Sequence, residues 1–470
     1  MRALWSGVVL AAGSLLGCQH VAPLPISASE TGAALLDRSL TDPGLRAFLE
    51  AHLESPLTEW PLQRWNLEKL TLAALYEQPT LEVSRAHARS AAAAIETAAE
   101  RPNPNLSVSP EFSANPGLGI SPWLATVQLD WPIETAGKRD RRIERAEAVT
   151  DAARLAIPVE AWRVRQQLRA ALAELAAAKA RESVLQAAVA EMGRRDALLR
   201  QRVEAGAASQ VEASLARVAR IQAEVDLAAA RRQRLEAMAR VAGAMGMPEA
   251  ALADIELDFP LDPDADPLVA VDEDAARRSA LHARWDVLAA LTQYDVAEAT
   301  IRLELAKQYP DIHLGRGYQF DEGQNKWALA ISLDLPVMNR NEGPIAEAVA
   351  AREEARAQLI ATQSRVIAEI EQALAHRHGA TEEAQEMERL VKERAARLEQ
   401  AQQAFALGAV DRLTLTDAEI ELHRAEQAHV DAQARVQQAL AELEASIEGP
   451  LASWDAIAGA DLPEPAVTRP

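Results

Sequence analysis

Apolar residues recur at two different periods along the chain, and each change of period occurs twice. Four short runs are strand-like, and in the second run of each pair apolar residues alternate cleanly with polar or small ones. The segments around them have the apolar spacing of amphipathic helices. The pattern predicts a mainly α-helical chain with strands at 105–112, 123–131, 311–320 and 326–335.

The two halves follow one plan with a period of about 200 residues, which indicates an internal duplication. Each half is predicted to run helix, strand pair, long helix, shorter helix. Chance similarity between alanine-rich helices would not easily place both strand pairs and both glycine breaks in register. The matching landmarks are Pro104 with Pro310, Pro132 with Pro336, and Gly206 with Gly408.

Proline-containing breaks divide the chain into predicted segments. They are a signal peptide at 1–17, an extended N-terminal segment at 18–65, repeat 1 at 66–250 with its strand pair at 105–132, a linker at 251–270, repeat 2 at 271–450 with its strand pair at 311–336, and a tail at 451–470. Helices are predicted at 66–100 with a restart at Pro79, at 138–205, at 210–245 and at 272–307. A long helix is predicted from the end of the second strand pair to 407, and after the break at Gly408 a last helix is predicted to end at 448. A turn is predicted at 321–325.

The longest predicted helix of the first repeat carries a coiled-coil seam. Twelve positions between Val164 and Val203 alternate spacings of four and three, and ten of them are apolar. At ~1.5 Å per residue the helix is roughly 100 Å long, about the combined length of the two shorter helices of that repeat. Long helices that pair side by side are therefore expected.

Composition and charge favour neither nucleic-acid binding nor catalysis. The formal net charge is −21, whereas a phosphate-binding surface needs a basic stripe. The nine histidines are scattered, and His376 and His378 point to different faces of a helix. No glycine-rich phosphate loop or nucleophile constellation is present, so no enzyme, cofactor or metal site is expected.

Cys18, the only cysteine, follows a sequence typical of an export signal. Residues 1–17 have a basic start, an apolar core and small residues before Cys18. Leu-Leu-Gly-Cys resembles a bacterial lipobox, which predicts a lipidated (palmitate-bearing) Cys18 as the new N-terminus. Gln19 favours the outer membrane over the inner one. A plain signal peptide with a chance cysteine is the alternative.

The strand pairs carry the membrane signal. Runs of ~9–11 residues with one apolar face fit tilted transmembrane strands, and Trp123, Trp131, Tyr309 and Trp327 fit the aromatic girdles at membrane interfaces. Four strands cannot close a barrel, and lipid forbids an open edge. Three chains would supply 12 strands, which predicts a homotrimer. The alternative is a small soluble sheet with one buried face.

The order of these features resembles the TolC-like family of outer-membrane efflux proteins. The resemblance covers roughly 66–450 and rests on the duplicated plan, the Pro-Asn-Pro entry at 102–104 and the two glycine breaks. Two stretches, 137–146 and 339–348, look more like the heavy-metal (cobalt–zinc–cadmium) branch of that family.

The resemblance implies a trimeric exit duct with a 12-stranded barrel above an α-helical tunnel. A periplasmic adaptor protein and an inner-membrane pump of the resistance-nodulation-division type would dock at the hairpin tips, here Gly206, Ser209, Gly408 and Asp411. Asp417 stands where members narrow the tunnel with an aspartate. The sequence departs from the family at Thr414, where a second aspartate is expected, and the residues flanking the tip glycines match only loosely.

Three other readings stay open. A multidrug or type I secretion exit duct would have the same fold. A lipid-anchored periplasmic adaptor also has helical hairpins, but it carries a continuous β domain rather than two strand pairs about 200 residues apart. A coiled-coil lipoprotein would have no use for alternating strands with aromatic ends.

Overall fold

The computed structural model of the protein describes residues 21–53, 57, 59–266, 268 and 272–448. The predicted signal peptide at 1–17, Cys18 and the tail at 451–470 lie outside the described residues. None of the described helices holds an apolar stretch long enough to cross a membrane.

The N-terminal segment is partly helical, which corrects the expectation of an extended chain at 18–65. It contains α1 (Ala28–Leu36) and α2 (Pro43–His52). Asp42 caps α2 by accepting a hydrogen bond from the backbone of Leu45 at 2.9 Å. Both helices are too short for a periodic apolar pattern to stand out from a proline-rich stretch.

The first repeat follows the predicted order. After β1 (Arg64–Asn66), helix α3 (Leu67–Glu77) ends at Gln78 and α4 (Pro79–Ala99) restarts at Pro79, as predicted. The strand pair, β2 (Asn105–Phe112) and β3 (Trp123–Ile133), leads into α5 (Lys138–Glu204) and α6 (Gln210–Met245). Helix α5 continues through Pro158 and has 67 residues.

The segment predicted only as a linker contains a strand. In it, β4 (Glu256–Asp258) pairs in parallel with β1, and Arg64 and Glu256 form an ion pair at 2.8 Å. Two three-residue strands carry too little alternation to be read from the sequence.

The second repeat has one break that the sequence prediction missed. The helix expected at 272–307 is two helices, α7 (Glu273–Ala283) and α8 (Trp285–Ala306), separated at Arg284. Arg284 has an extended backbone and is only 4% exposed. Its guanidinium donates to Asp286 at 2.7 Å and to the Ser446 carbonyl at 2.8 Å. One near and one distant partner therefore hold a break that no proline or glycine marks.

The remaining elements are β5 (Ile312–Asp321), β6 (Gln324–Leu333), α9 (Glu342–Ala406) and α10 (Arg412–Ile447). The turn between β5 and β6 is tighter than predicted, because Glu322 and Gly323 both have positive φ and form a two-residue hairpin loop. Strand β6 ends at Leu333 rather than at 335.

The repeats meet in one antiparallel sheet and along α5, which packs against both α8 and α10 of the second repeat. The sheet has the order β2-β3-β5-β6, so the strand pairs are joined through β3 and β5. Helix α5 packs along both α6 and α10. Its predicted seam is buried at Val164, Leu168, Leu175, Leu185 and Leu199, which confirms the lateral helix pairing. The largest core lies where α2 and α3 pack against α5 and α6.

Buried ion pairs fasten α5 to α10 in the middle of the molecule. Arg165 and Arg169 reach the two oxygens of the Glu444 carboxylate, at 2.7 and 2.9 Å. All three side chains are buried. Removing one partner of such a network would leave an uncompensated buried charge. The network therefore fixes how the two repeats sit against each other.

Candidate functional site

One face of the four-stranded sheet is a continuous apolar surface. The strand registers bring apolar residues of all four strands to the same side; Leu129, for example, lies opposite Leu106 on β2. The large members of this face are Leu106, Val108, Phe112, Trp123, Val127, Leu129, Trp131, Ile133, Ile312, Leu314, Tyr318, Phe320, Trp327, Leu329, Ile331 and Leu333. Most of them are exposed in the single chain. An apolar surface of this extent marks contact with lipid or with another protein surface.

The opposite face is polar or built of small residues, apart from Leu124 and Pro132. It carries Ser107, Thr126, Gln128 and Gln319 among others, and the glycines and alanines of β5 and β6. His313 Nδ1 and Asp130 Oδ2 lie 2.8 Å apart on this side. The sheet therefore has one face suited to lipid and one suited to water.

The four predicted interface aromatics lie at the two ends of the sheet. Trp123 and Trp327 are close to the hairpin turns, whereas Trp131 and Tyr309 are close to the helices. All four are exposed. Eight residues separate the two tryptophans of β3, which is about 26 Å along a strand, close to the height of the apolar band of outer-membrane proteins.

Arg316 interrupts the apolar face. It lies opposite Leu129 on β3 and Leu329 on β6, and it is the only charged residue of this face within the four described strands. Its exposed guanidinium has no ion pair or hydrogen bond to any described residue. The clean alternation lies in β3 and β6, so the sequence pattern did not single out this residue of β5.

Both edges of the sheet are open within the described chain. Strand β2 pairs only with β3, and β6 pairs only with β5. Beyond the end of β6, Leu335, Val337 and Met338 are exposed. Rows of unpaired backbone groups next to exposed apolar side chains are a template for pairing with another chain.

The strand-to-helix junction of the first repeat is pinned to the second repeat. Thr135 donates its backbone N–H to Asp311 at 3.0 Å and its hydroxyl to the Pro310 carbonyl at 2.6 Å. Lys138 Nζ donates to the same Asp311 carboxylate at 2.7 Å. The matching junction after β6 is held differently, since Asn341 bonds to Glu304 of its own repeat.

The hairpin tips are built as the sequence indicates. Gly206 and Gly408 have φ of +74° and +73°, a left-handed conformation that ends α5 and α9. Ser209 and Glu212 form a capping box at the start of α6. Asp411 caps α10 by accepting from the Thr414 N–H at 2.8 Å.

Ion pairs hold α5 against α10 close to the two tips. Asp411 also pairs with Arg202. Backbone capping by Thr414, together with Arg202, lowers the pKa of Asp411 to about 2. Asp417 accepts from Arg195 Nε at 2.7 Å, and its side chain stays half exposed. The sequence alone located Asp411 and Asp417 but not their arginines, which lie about 200 residues away in the chain.

No preformed metal centre is present in the part of the chain that the structure describes. No group of three or more histidine, cysteine, aspartate or glutamate side chains there is arranged to hold a metal ion.

Sequence comparison gives a family match and a curated relative. The family described as outer membrane efflux protein matches residues 70–247 and 276–449, which is more than half of the chain. The cobalt-zinc-cadmium resistance protein CzcC of Cupriavidus metallidurans is 26% identical over 267 residues, which make up 56% of this chain. The chain spans 60% of the length of that relative.

Structure comparison gives the same fold in solved proteins. A membrane protein from Pseudomonas aeruginosa has a TM-score of 0.68 at 22% identity, covering 84% of this chain and 92% of that one. The outer membrane protein VceC of Vibrio cholerae has a TM-score of 0.64 at 22% identity, covering 82% and 96%. The predicted fold, long paired helices with a membrane-type strand set, is confirmed.

Proposed function

The chain belongs to the outer membrane efflux protein family, and from this membership we propose that it is the exit duct of a tripartite efflux system. It passively conducts substrate from an inner-membrane pump and a periplasmic adaptor to the outside, and it performs no catalysis. The observation that carries the proposal is the amphipathic sheet with two open edges, continued by helices of roughly 100 Å. Lipid outside, water inside and a long helical wall below are what such a duct requires.

Assembly into a homotrimer follows from the open edges. The internal duplication predicts how copies would pair, because β6 repeats β3 and β2 repeats β5. Trp131 lies opposite Leu314 within the chain. The corresponding pair between copies is Leu335 with Val108 of a second copy, which would extend β6 beyond Leu333. Three copies joined in this way close a 12-stranded barrel without an unpaired edge.

The hairpin tips are the proposed docking surface for the adaptor and for a pump of the resistance-nodulation-division type. Gly206, Ser209, Gly408 and Asp411 lie at the end of the helices that is farthest from the sheet. Asp417, close to the second tip, is the proposed constriction of the tunnel. Support comes from its half-exposed carboxylate, which faces solvent while Arg195 holds it in place.

The proposed location is the outer membrane, with the helices in the periplasm and with Cys18 lipidated after removal of 1–17. The proposed cargo is heavy-metal cations. The relative CzcC is named for cobalt, zinc and cadmium resistance. The net charge of −21 is compatible with a cation path.

A strain that lacks this gene tests the function and the cargo together. We expect greater sensitivity to zinc, cobalt or cadmium, restored by the wild-type gene, because the pump would have no exit. We expect the gene with Asp417→Asn to restore metal resistance only in part. Glu147→Asn, at an exposed residue of α5, is the matched control. Sensitivity to dyes, detergents or antibiotics with metals unchanged would contradict the metal cargo and favour a multidrug duct. Unchanged sensitivity to all of them would contradict export by this chain.

A further inference from the structure

Two glutamates meet between α5 and α10, about four helical turns from the first hairpin tip. Glu191 is 6% exposed, and its Oε1 accepts from Arg194. Its Oε2 is buried and has no hydrogen-bond donor among the described residues. Glu419 Oε2, on α10, is likewise buried without a donor. The ion pair of Arg195 with Asp417, one turn away, sets the register of α5 against α10 that brings the two side chains side by side.

The neighbouring charged side chains do not supply the missing hydrogen-bond donors. On α5, Arg194 serves the other oxygen of Glu191, and on α10 His423 adds only a weaker attraction. The other charged side chains around the pair are engaged in ion pairs of their own. They are Arg195 with Asp417, Arg220 of α6 with Asp196, Arg394 of α9 with Glu421, and His423 with Glu426.

Two carboxylates in contact cannot both be ionised at low cost. Burial, followed by the contact with Glu419, raises the pKa of Glu191 above its usual range. A carboxylic acid can donate one hydrogen bond, and a carboxylate can only accept. A single proton between the two side chains therefore satisfies both unpartnered oxygens at once.

We propose that Glu191 and Glu419 bind one proton between them and that this proton holds α5 against α10 close to the tips. When the proton is present, the pair is a short hydrogen bond across the helix interface. When it leaves, two negative charges face each other in a buried site. Because the pKa is raised in the folded state, the stabilisation is complete at low pH and is lost as the pH rises through the folded pKa.

The Glu191–Glu419 pair lies where its protonation would affect the proposed tunnel. The ion pair of Arg195 with Asp417 is one turn of α5 away, on the same α5–α10 interface. Loss of the proton would loosen that interface beside the proposed constriction. Acid would hold the tips together, and a rise in pH through the pKa of Glu191 would release them.

Infrared titration of the purified full-length protein in detergent micelles tests the proposal. Burial also raises the pKa of Glu77 and Glu448, so the wild type should retain several protonated-carboxyl C=O components above about pH 4.3, the ordinary pKa of glutamate. We expect one of these components, the band of this pair, to come from Glu191 and Glu419. Glu191→Gln and Glu419→Gln should each lose that band. Glu147→Gln, an exposed glutamate on α5, should retain it. Absence of the band in the wild type, or its survival in Glu191→Gln, would overturn the proposal.

A second measurement separates binding of the proton from its effect on packing. The unfolding temperature of the wild type should fall as the pH is raised through the titration of the band. Glu419→Gln should be less sensitive to pH over the same range, because its amide can donate to Glu191 without a proton. An equal fall in both proteins would overturn the packing role. Neither measurement depends on conduction, so both results could be interpreted even if the proposed duct function were wrong.

Discussion

Single residues at the hairpin tips show what local sequence can predict. Ser209, Glu212 and Asp411 are recognisable as caps from sequence, because their hydrogen bonds reach only three residues along the chain. The partners of Asp411 and Asp417 were not predictable in the same way. Arg202 and Arg195 reach them only because α5 and α10 lie side by side. The contact of Glu191 with Glu419 is of the same kind.

Asp411→Ala removes both the helix cap and the ion pair with Arg202. Loss of the cap costs about 1 kcal/mol, so amide hydrogen exchange in the first turn of α10 should be about fivefold faster. The pKa of Asp411 in the folded protein is about 2. Its contribution to stability is therefore complete above the usual aspartate pKa and is lost as the pH falls through the folded pKa of about 2. Asp411→Asn, which keeps an acceptor oxygen, should exchange at a rate closer to that of the wild type. Equal rates in all three proteins would contradict the capping role.

Whole elements were predictable where they are long and strictly periodic. The bounds of α5 and α6 match the sequence prediction within one residue, because glycine and a capping box mark their ends. The break at Arg284 was missed, since two of the partners that hold it, the Glu369 carboxylate and the Ser446 carbonyl, lie far away in the chain. The short helices α1 and α2 were missed because too few residues define their period.

Arg316→Leu tests which face of the sheet meets lipid. A charged side chain near the middle of a lipid-facing strand costs about 2–4 kcal/mol, and Arg316 is the fifth of the ten residues of β5. The variant should therefore be more resistant to denaturant in lipid vesicles. Lys326→Leu, on the polar face, is the matched control and should gain nothing, because it loses the ion pair with Asp321. A loss of stability in Arg316→Leu would indicate that the apolar face does not lie in lipid.

At the scale of the whole molecule, the two repeats are joined within one copy, whereas the sheet is left open. The buried network around Glu444 joins the two repeats within one copy. The sheet has no such closure, and its apolar face and both edges are left to the surroundings. The sequence predicted this imbalance, because four alternating strands cannot form a closed barrel. The register between copies is inferred only from the pairing of β3 with β5 within one chain, because β6 repeats β3 and β2 repeats β5.

A disulfide between copies tests that register. The double variant Leu335→Cys with Val108→Cys should give cross-linked dimers and trimers on a non-reducing gel after mild oxidation. Each single variant should give neither product. Leu335→Cys with Ser107→Cys is the matched control, since a shift of one residue turns the side chain to the other face of the sheet. Stronger cross-linking in the control than in the test variant would reject the register.

The two tips of one chain arise from the same plan but carry different side chains, Ala205 and Ala207 around one glycine, Leu407 and Ala409 around the other. Had each copy supplied a single repeat, every mutation at a tip would appear at all equivalent positions of the assembly. Duplication within one gene removes that restriction. Selection can change one tip to follow an altered partner while the other conserves an existing contact, so the two ends can diverge at separate rates.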